Sequence, residues 1–215
     1  MSNSNLVCPL CQCSTPRHYH TDERRQFWQC ETCSLVFVEP SQRPLPEQEK
    51  ALYDCHQNDV FDIRYRQFLS RLATPLLARV KPNSSGLDFG CGPGPALAAI
   101  LTERGHHISV YDPFFAPCTI VLQDHYDFIT CTEAIEHFHQ PEKEWNTWMT
   151  LLKPQGYLGL MTGLVQSPSQ FARWHYKLDP THVSFFSRET FEFLAHRDGL
   201  TLEFFGSDAI LLQRK

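Results

Sequence analysis

The stretch LDFGCGPGPALAAIL at positions 87–101 constrains the fold of this chain more than any other segment. In it, an apolar run is followed by Gly90, Gly92 and Gly94, and then by apolar residues at helical spacing. Glycines let the backbone turn sharply and approach a ligand closely, and the start of a helix presents free N–H groups. The pattern therefore predicts a strand, a tight ligand-binding turn and a helix.

The rest of the carboxyl-terminal part alternates between strand-like and helix-like segments. The strand-like runs are HISVYD, YDFITC, GYLGLMT, LTLEFFG and DAILLQRK, and helical patterns lie at EKEWNTWMTLL and SRETFEFLAHR. This alternation predicts an α/β fold with a mostly parallel sheet covered by helices. Only a short turn separates the last two runs, so we expect an antiparallel strand at the C-terminal edge of the sheet.

An acidic residue follows the glycine turn at the spacing typical of cofactors that contain a ribose. Asp112 lies eighteen residues after Gly94, at the end of the next strand-like run, where a carboxylate can accept both ribose hydroxyls. The third glycine, however, comes one residue earlier than in the GxGxxG pattern of dinucleotide-binding proteins. The loop therefore departs from the pattern of NAD-binding proteins.

Two CxxC pairs near the amino terminus, separated by eighteen residues, predict a metal site. Four thiolates on two tight turns complete the tetrahedral shell that suits structural zinc. The predicted ligands are Cys8, Cys11, Cys30 and Cys33. Substitute ligands close to them in sequence are Cys13, His18 and His20. The cysteines outside the two pairs are expected to be small buried side chains, and they are Cys13, Cys55, Cys91, Cys118 and Cys131.

Charge and hydropathy limit the classes of partner. The formal net charge is −5, and the first 50 residues carry five Lys or Arg against six Asp or Glu. A nucleic-acid-binding surface is normally basic, so the balance argues against a nucleic-acid partner. No apolar run approaches the roughly 18 residues of a membrane span, and no secretory leader pattern opens the sequence. We expect a cytoplasmic protein.

At this point the chain resembles the class I S-adenosylmethionine-dependent methyltransferases. Their first motif, an acid, any residue and GxGxG, corresponds to Asp88, Phe89, Gly90, Cys91, Gly92, Pro93 and Gly94. The resemblance extends to YDFITCTEAIEHF, LLKPQGYLGLMT and DPTHVSFFS, and a subgroup carries a zinc-binding CxxC…CxxC head followed by a segment like LVFVEP. It implies a zinc-ribbon-like head over 1–40, a helical linker over 41–82 and a Rossmann-like methyltransferase domain over 83–215.

The resemblance also implies which residues bind the cofactor. Asp88, Gly90 and Gly92 would surround its methionine part, and Asp112 would hold its ribose. The full predicted set is Asp88, Phe89, Gly90, Cys91, Gly92, Gly94, Asp112, Pro113, Thr132 and Glu133.

Residues 113–126 depart from the family pattern, which usually fits a helix, a strand and an adenine-binding acid between the second strand and the fourth. Either the protein is abbreviated there, or CTIVLQ supplies a short third strand. Gln123 or Asp124 would then replace the adenine contact.

Methyl transfer depends mainly on holding the acceptor in line with an activated methyl group, and a general base is optional. Three residues are candidates for such chemistry, and they are His182, Glu133 and His137. The resemblance puts His182 beside the acceptor pocket, although it could instead fix its loop by hydrogen bonds. Glu136 and His137 could equally brace the chain after the fourth strand.

The sequence therefore predicts a methyltransferase acting on a small-molecule acceptor, with S-adenosylmethionine and Zn²⁺ as cofactors. Two alternatives stay open at this stage. One is a partner-binding module that docks through the ribbon and has weak or lost catalysis. The other is an RNA methyltransferase whose ribbon reads the substrate, for which binding would depend steeply on salt.

Overall fold

The structure is a computed structural model that describes residues 6–54 and 59–215. The amino-terminal elements are strands β1 (Pro16–Thr21), β2 (Gln26–Cys30) and β3 (Val36–Val38), and helices α1 (Pro46–Tyr53) and α2 (Ile63–Leu77). The following elements are β4 (Ser85–Phe89), α3 (Ala96–Glu103), β5 (His107–Tyr111), β6 (Tyr126–Thr132), α4 (Pro141–Leu151) and β7 (Leu152–Met161). The last ones are α5 (Pro168–Ala172), β8 (Ser184–Phe185), α6 (Arg188–Asp198), β9 (Leu200–Phe205) and β10 (Ala209–Arg214).

The larger sheet has six strands in the order β5-β4-β6-β7-β10-β9. The first four run parallel, and β10 runs antiparallel to both β7 and β9. The prediction of a mostly parallel α/β sheet with an antiparallel pair at its C-terminal edge is confirmed. In register, Asp88 lies between Val110 and Thr130, so the carboxyl ends of β4, β5 and β6 meet at one edge.

Helices cover both faces of this sheet because its strands are apolar on both sides. Helices α2 and α3 pack on one face, where Phe128 points, and α4 and α6 pack on the other, where Ile129 points. The predicted helix in the linker is present as α2, which buries Leu69 and Leu72. Phe61 lies before α2 and is 77% exposed.

The smaller sheet joins the head to the rest of the chain. Its strands β1, β2 and β3 come from the first 40 residues, and β8 comes from the carboxyl-terminal half. Val36 pairs with Phe185 and Phe37 with Ser184. The division at residue 40 stays a prediction, and the head and the body share one sheet.

Residues 113–125 contain no strand, so the expectation that CTIVLQ supplies a third strand is wrong. Asp112 forms a single bridge with Ala116, and a 3-10 helix covers Thr119–Gln123. As a result β5 is the edge strand of the sheet. The segment is abbreviated, as the other sequence-based alternative proposed.

Two further expectations concern cysteine burial and membrane spans. Cys131 is buried, Cys13 and Cys91 are partly buried, Cys118 is exposed, and Cys55 lies outside the described residues. The expectation that the cysteines outside the two pairs are buried is therefore wrong for Cys118. This residue lies on the irregular segment after β5. Among the described ranges, no helix combines the length and apolarity needed to cross a bilayer.

Candidate functional site

The glycine loop leaves β4 at Phe89 and leads into α3, with Pro95 as the N-cap residue. Gly90 has φ +75° and Gly92 φ +64°, a region that residues with a Cβ rarely adopt. A Cβ on Gly90 would lie 2.7 Å from Cβ of Ala134. The Gly90 amide donates to the Tyr111 carbonyl over 2.8 Å, which ties the loop to the end of β5. Both the conformation and the space at Gly90 require glycine.

Asp112 is fixed in place at the end of β5. Its Oδ2 accepts a hydrogen bond from the Gly92 amide over 3.0 Å, and its Oδ1 accepts from the Phe114 and Phe115 amides over 2.8 and 3.0 Å. Each carboxylate oxygen can accept more than one hydrogen bond, so both remain able to bind a ligand. The loop and Asp112 are thus one preorganised unit.

A cavity of about 530 Å³ opens at the carboxyl ends of β4, β5 and β6. Open α/β sheets place ligands at this edge, and the volume is in the range of small-molecule sites. The predicted cofactor residues that line it are Gly90, Cys91, Gly92, Asp112, Pro113, Thr132 and Glu133. The three predicted catalytic residues, His182, Glu133 and His137, also line it. The predicted residues outside its wall are Asp88, Phe89 and Gly94.

Asp88 lies beneath the cavity and is 2% exposed. Its Oδ1 accepts a hydrogen bond from the Thr130 hydroxyl over 2.8 Å. Burial raises the pKa of Asp88 to about 6, in opposition to this hydrogen bond, which lowers it. Asp88 is therefore placed to support the loop, one layer below the residues that face the cavity.

Carboxylates that follow β6 also line the cavity. Glu133 has φ +48°, a left-handed conformation unusual for a residue with a side chain. Burial, followed by the neighbouring carboxylates of Glu136 and Asp208, raises the pKa of Glu133 to about 8. Glu136 is 1% exposed and accepts hydrogen bonds from the hydroxyls of Tyr176 (2.6 Å) and Thr162 (3.0 Å).

Two histidines adjoin these carboxylates, with ring centroids 4.6 Å apart. Nδ1 of His137 lies 3.1 Å from the Thr181 carbonyl, and Nδ1 of His182 lies 2.7 Å from the Tyr176 carbonyl. A carbonyl only accepts hydrogen bonds, so each Nδ1 carries the proton and each Nε2 presents a lone pair. Burial lowers the pKa of His182, which favours its neutral form. The sequence analysis left open whether His182 fixes its loop by hydrogen bonds or lies beside the acceptor pocket. In the structure its Nδ1 bonds the Tyr176 carbonyl, and the residue also lines the cavity.

Several cavity residues were not predicted from the sequence as site residues. They are Glu49, Tyr53, Tyr65, Phe114, Phe115, Phe138, Glu144 and Asp179. Phe114 and Phe115 come directly after Pro113, which was predicted, so their closeness to Asp112 in sequence was a usable signal. Glu144 Oε2 is buried without a hydrogen-bond partner among the described residues, and burial raises the pKa of Glu144. Gln123 and Asp124, the expected adenine contacts, do not line the cavity.

The four paired cysteines meet in the head. Cys8 Sγ lies 3.5 Å from Cys33 Sγ, and Cys11 Sγ lies 3.4 Å from Cys30 Sγ. Four sulfurs around zinc at about 2.3 Å would lie about 3.8 Å apart, close to these separations. The substitute ligands Cys13, His18 and His20 are outside the cluster.

Each CxxC pair forms the same kind of turn. The amide of Gln12 donates to the Cys8 carbonyl, and that of Ser34 donates to the Cys30 carbonyl, both over 3.0 Å. Gln12 and Ser34 have φ +59° and +60°. The donor set and its geometry fit a tetrahedral zinc ion.

Arg25 connects the head to the cavity wall. Its side chain is buried, and its Nη1 donates to the carbonyls of Pro180 (3.2 Å) and His182 (3.0 Å). Its Nη2 donates to the Lys177 carbonyl. The head therefore holds the loop that carries His182.

Comparison with solved structures gives the same fold. A 1,6-didemethyltoxoflavin-N1-methyltransferase from Burkholderia thailandensis, with S-adenosylhomocysteine and 1,6-didemethyltoxoflavin bound, is 15% identical with a TM-score of 0.53, over 93% of this chain and 98% of that one. The complex of the Haloferax volcanii Trm112 methyltransferase activator with a methyltransferase matches at 14% identity and a TM-score of 0.54, over 79% of this chain and 99% of that one.

The magnesium protoporphyrin IX methyltransferase of Synechocystis, with bound S-adenosylhomocysteine, is 13% identical with a TM-score of 0.51, over 79% of this chain and 94% of that one. No curated protein sequence gives a significant match. The family described as "Methyltransferase domain" matches residues 61–203, which include the glycine loop, Asp112 and the wall of glutamates and histidines. The chain therefore belongs to the methyltransferase-domain family and carries a tetracysteine head in front of the matched region.

Proposed function

We propose that this protein transfers a methyl group from S-adenosylmethionine to a small-molecule acceptor bound in the 530 Å³ cavity. The observation that carries the proposal is the arrangement of that cavity. The glycine loop and Asp112 line the same cavity as Glu133, Glu136, His137 and His182. A cofactor held by the loop and Asp112 would therefore share the cavity with titratable side chains that can meet an acceptor.

On the cofactor side, Asp112 accepts the ribose hydroxyls and the backbone of Gly90 and Gly92 approaches the ligand. Pro113 and Phe114 offer flat apolar surfaces for the adenine ring, in place of the strand that residues 113–126 lack. The unpartnered Oε2 of Glu144 can accept a hydrogen bond from a ligand amino group. The chemistry of these residues fits the cofactor, which carries cationic groups and no phosphate.

On the acceptor side, the chain supplies acceptors for a proton. The bound cofactor provides a methyl group on a positively charged sulfur, which becomes a neutral thioether when the acceptor takes the methyl group. The acceptor loses a proton in exchange, and Nε2 of His137 or His182 can hold it. Glu133, with its pKa of about 8, keeps its own proton near neutral pH while the cavity is empty.

The test of the function is calorimetric titration of the purified, zinc-replete protein. S-adenosylmethionine and S-adenosylhomocysteine are each expected to bind at one site, and NADH is the control that should not bind. Binding of the first two justifies a screen of small acceptors by mass spectrometry. Absence of binding for both would contradict the proposal.

The head has a structural part in this proposal. Four thiolates leave no open coordination position on zinc, so the metal would hold the head folded and would not meet substrate. We further propose that the protein acts in the cytoplasm, where thiols stay reduced and can bind zinc.

A second candidate function is motivated by the abbreviated segment 113–126. A body with a weakened adenine site could serve as a partner-binding module, with the head as the docking surface. A structural relative has been solved with the Trm112 activator protein, which gives a precedent for a protein partner. Methyl transfer to any acceptor by the isolated protein would eliminate this candidate.

A further inference from the structure

The segment after β6 and the loop before β8 bring together three potential metal ligands at the cavity. Glu136, His137 and His182 each offer one ligand atom, and these atoms all lie within 4.8 Å of one another. Nε2 of His137 is 4.0 Å from Oε1 of Glu136. This cluster is separate from the four cysteines of the head.

The hydrogen bonds of the two rings leave both Nε2 lone pairs unused. Each Nδ1–H donates to a backbone carbonyl, so neither ring has a second N–H to offer in its neutral form. The His182 side chain is only 10% exposed, and Asp179 Oδ2, at 3.9 Å from Nε2, is beyond hydrogen-bond distance. The two Nε2 lone pairs thus lie close to the Glu136 carboxylate, and no donor in the described part of the chain contacts either lone pair. A cation could bind both nitrogens and the carboxylate.

The hydrogen bonds around Glu136, His137 and His182 are of the kind that usually orient metal ligands. Histidine ligands donate their second ring N–H to a carbonyl or carboxylate, and carboxylate ligands are themselves hydrogen-bonded. Here Tyr176 supplies both kinds of contact, because its carbonyl accepts from His182 and its hydroxyl donates to Glu136. Thr162 donates to the other oxygen of Glu136.

We propose that Glu136, His137 and His182 bind one divalent transition-metal ion. Imidazole nitrogens combined with carboxylate oxygens favour Mn²⁺, Fe²⁺, Co²⁺ or Zn²⁺ over Mg²⁺ and Ca²⁺. Ligand atoms about 2.1 Å from the ion lie about 3 to 4 Å apart, so small side-chain rotations close the site. Its open positions face the cavity.

The ligand class follows from those open positions, and this step rests on the proposed function. Such an ion takes oxygen ligands from a hydroxyl-bearing acceptor and lowers the pKa of the bound hydroxyl. The metal site would then select oxygen acceptors over amines or thiols. The Nε2 atoms bind the ion in this arrangement, so the proton of the bound hydroxyl would pass to solvent water and not to His137 or His182.

The experiment is metal titration of the full chain with zinc retained in the head. The probe is Mn²⁺, followed by electron paramagnetic resonance, with metal content measured by mass spectrometry. The expected result is one tightly held zinc and one exchangeable Mn²⁺ per chain. A protein that keeps its head zinc but binds no Mn²⁺, Co²⁺ or second Zn²⁺ at millimolar concentration would overturn the proposal.

Variants locate the site. Glu136→Gln and His182→Ala are expected to weaken Mn²⁺ binding by more than 100-fold while the head zinc stays, and Tyr176→Phe should weaken it by about 10-fold. His107→Ala, at the start of β5, is the matched control and should leave the affinity unchanged. Retained head zinc and an unchanged circular dichroism spectrum report that each variant is folded. Undiminished Mn²⁺ binding by folded Glu136→Gln and His182→Ala would overturn the assignment.

The failure of the metal site and the failure of the proposed function are distinguishable. Cofactor binding is measured separately on protein freed of exchangeable metal. Mn²⁺ binding without S-adenosylmethionine binding would support the metal site and contradict methyl transfer. Methyl transfer at full rate without exchangeable metal would contradict the inference and leave the proposed function standing.

Discussion

The amide of Gly92 donates a hydrogen bond to Oδ2 of Asp112 over 3.0 Å, which joins the turn after β4 to the end of β5. The two residues are twenty positions apart in sequence, and the contact places the loop backbone and the carboxylate at the same side of the cavity. The loop and Asp112 are therefore already in place before a ribose-containing ligand binds.

Asp112→Ala is expected to weaken S-adenosylmethionine binding by at least about tenfold, because two charge-assisted hydrogen bonds are each worth about 1.5 to 3 kcal/mol. The loop would also lose its anchor at Gly92. Calorimetry measures the effect, and Asp124→Ala, exposed on the same segment, is the control. Equal affinity in wild type and Asp112→Ala would remove Asp112 from the site.

Gly90→Ala should destabilise the protein by about 2 to 4 kcal/mol, because a left-handed conformation and an overlap with Ala134 add together. Gly206→Ala is the matched control, since Gly206 has φ +63° but no atom within 4 Å of an added Cβ. It should cost only about 1 to 2 kcal/mol. Urea denaturation of both variants gives the difference, and equal losses would show that the close approach at Gly90 is not limiting.

Asp88→Asn should change stability in a pH-dependent way. The folded protein binds the Asp88 proton more tightly than the unfolded chain does, because the pKa rises to about 6 from about 3.9. Its contribution to the free energy of unfolding is therefore lost as pH rises from about 4 to about 6. The variant should equal wild type near pH 4 and exceed it by up to about 3 kcal/mol at pH 8 without cofactor.

Denaturation of both proteins across this range checks the prediction, since their difference cancels all other titrating groups. Asp124→Asn should show no such trend. A constant difference between Asp88→Asn and wild type from pH 4 to pH 8 would contradict the raised pKa.

Cys30→Ser should remove zinc from the head and lower Tm by more than about 5 °C, because structural zinc contributes directly to folding. Hydrogen exchange should increase in β1, β2, β3 and the paired β8. Cys118→Ser is the control, since Cys118 is exposed, and should stay within about 0.5 kcal/mol of wild type. Full zinc content in Cys30→Ser would disprove its part in the site.

Arg25→Lys should cost about 2 to 4 kcal/mol, because one ammonium cannot replace a fork that reaches three carbonyls. The loop that carries His182 should loosen, which hydrogen exchange at positions 177–183 would report. Arg24→Lys, exposed and next in sequence, is the control. Equal protection of that loop in both variants would contradict the connection.

The sequence was sufficient to predict those parts of the fold that a local pattern of residues determines. The glycines around Cys91 and the alternation of strands and helices fix the sheet edge, and the spacing of Cys8 and Cys11 fixes a turn. The pairing of Val36 with Phe185 spans almost 150 positions and has no local signal. The position of Tyr53 at the cavity could not be predicted either, because the residue pattern of α1 does not show where that helix packs.

The segment after Asp112 shows how burial decides between two local structures. CTIVLQ has the composition of a strand, but Ile120 is 69% exposed and the backbone forms a 3-10 helix. Val121 and Leu122 pack against the core, while the other residues of CTIVLQ are exposed. Similarly, Asp88 matches the family motif, yet its place below the cavity depends on Thr130 in a neighbouring strand.

Because β3 pairs with β8, the shortest fragment that can form the cavity must include the head. A fragment trimmed to residues 61–203, the region of the family match, would lack β10, the strand between β7 and β9. It would also uncover Phe185 and leave the carbonyls around His182 without Arg25. Any shortened version for crystallisation or expression must therefore keep the head and the carboxyl terminus together, because the family boundary cuts through both sheets.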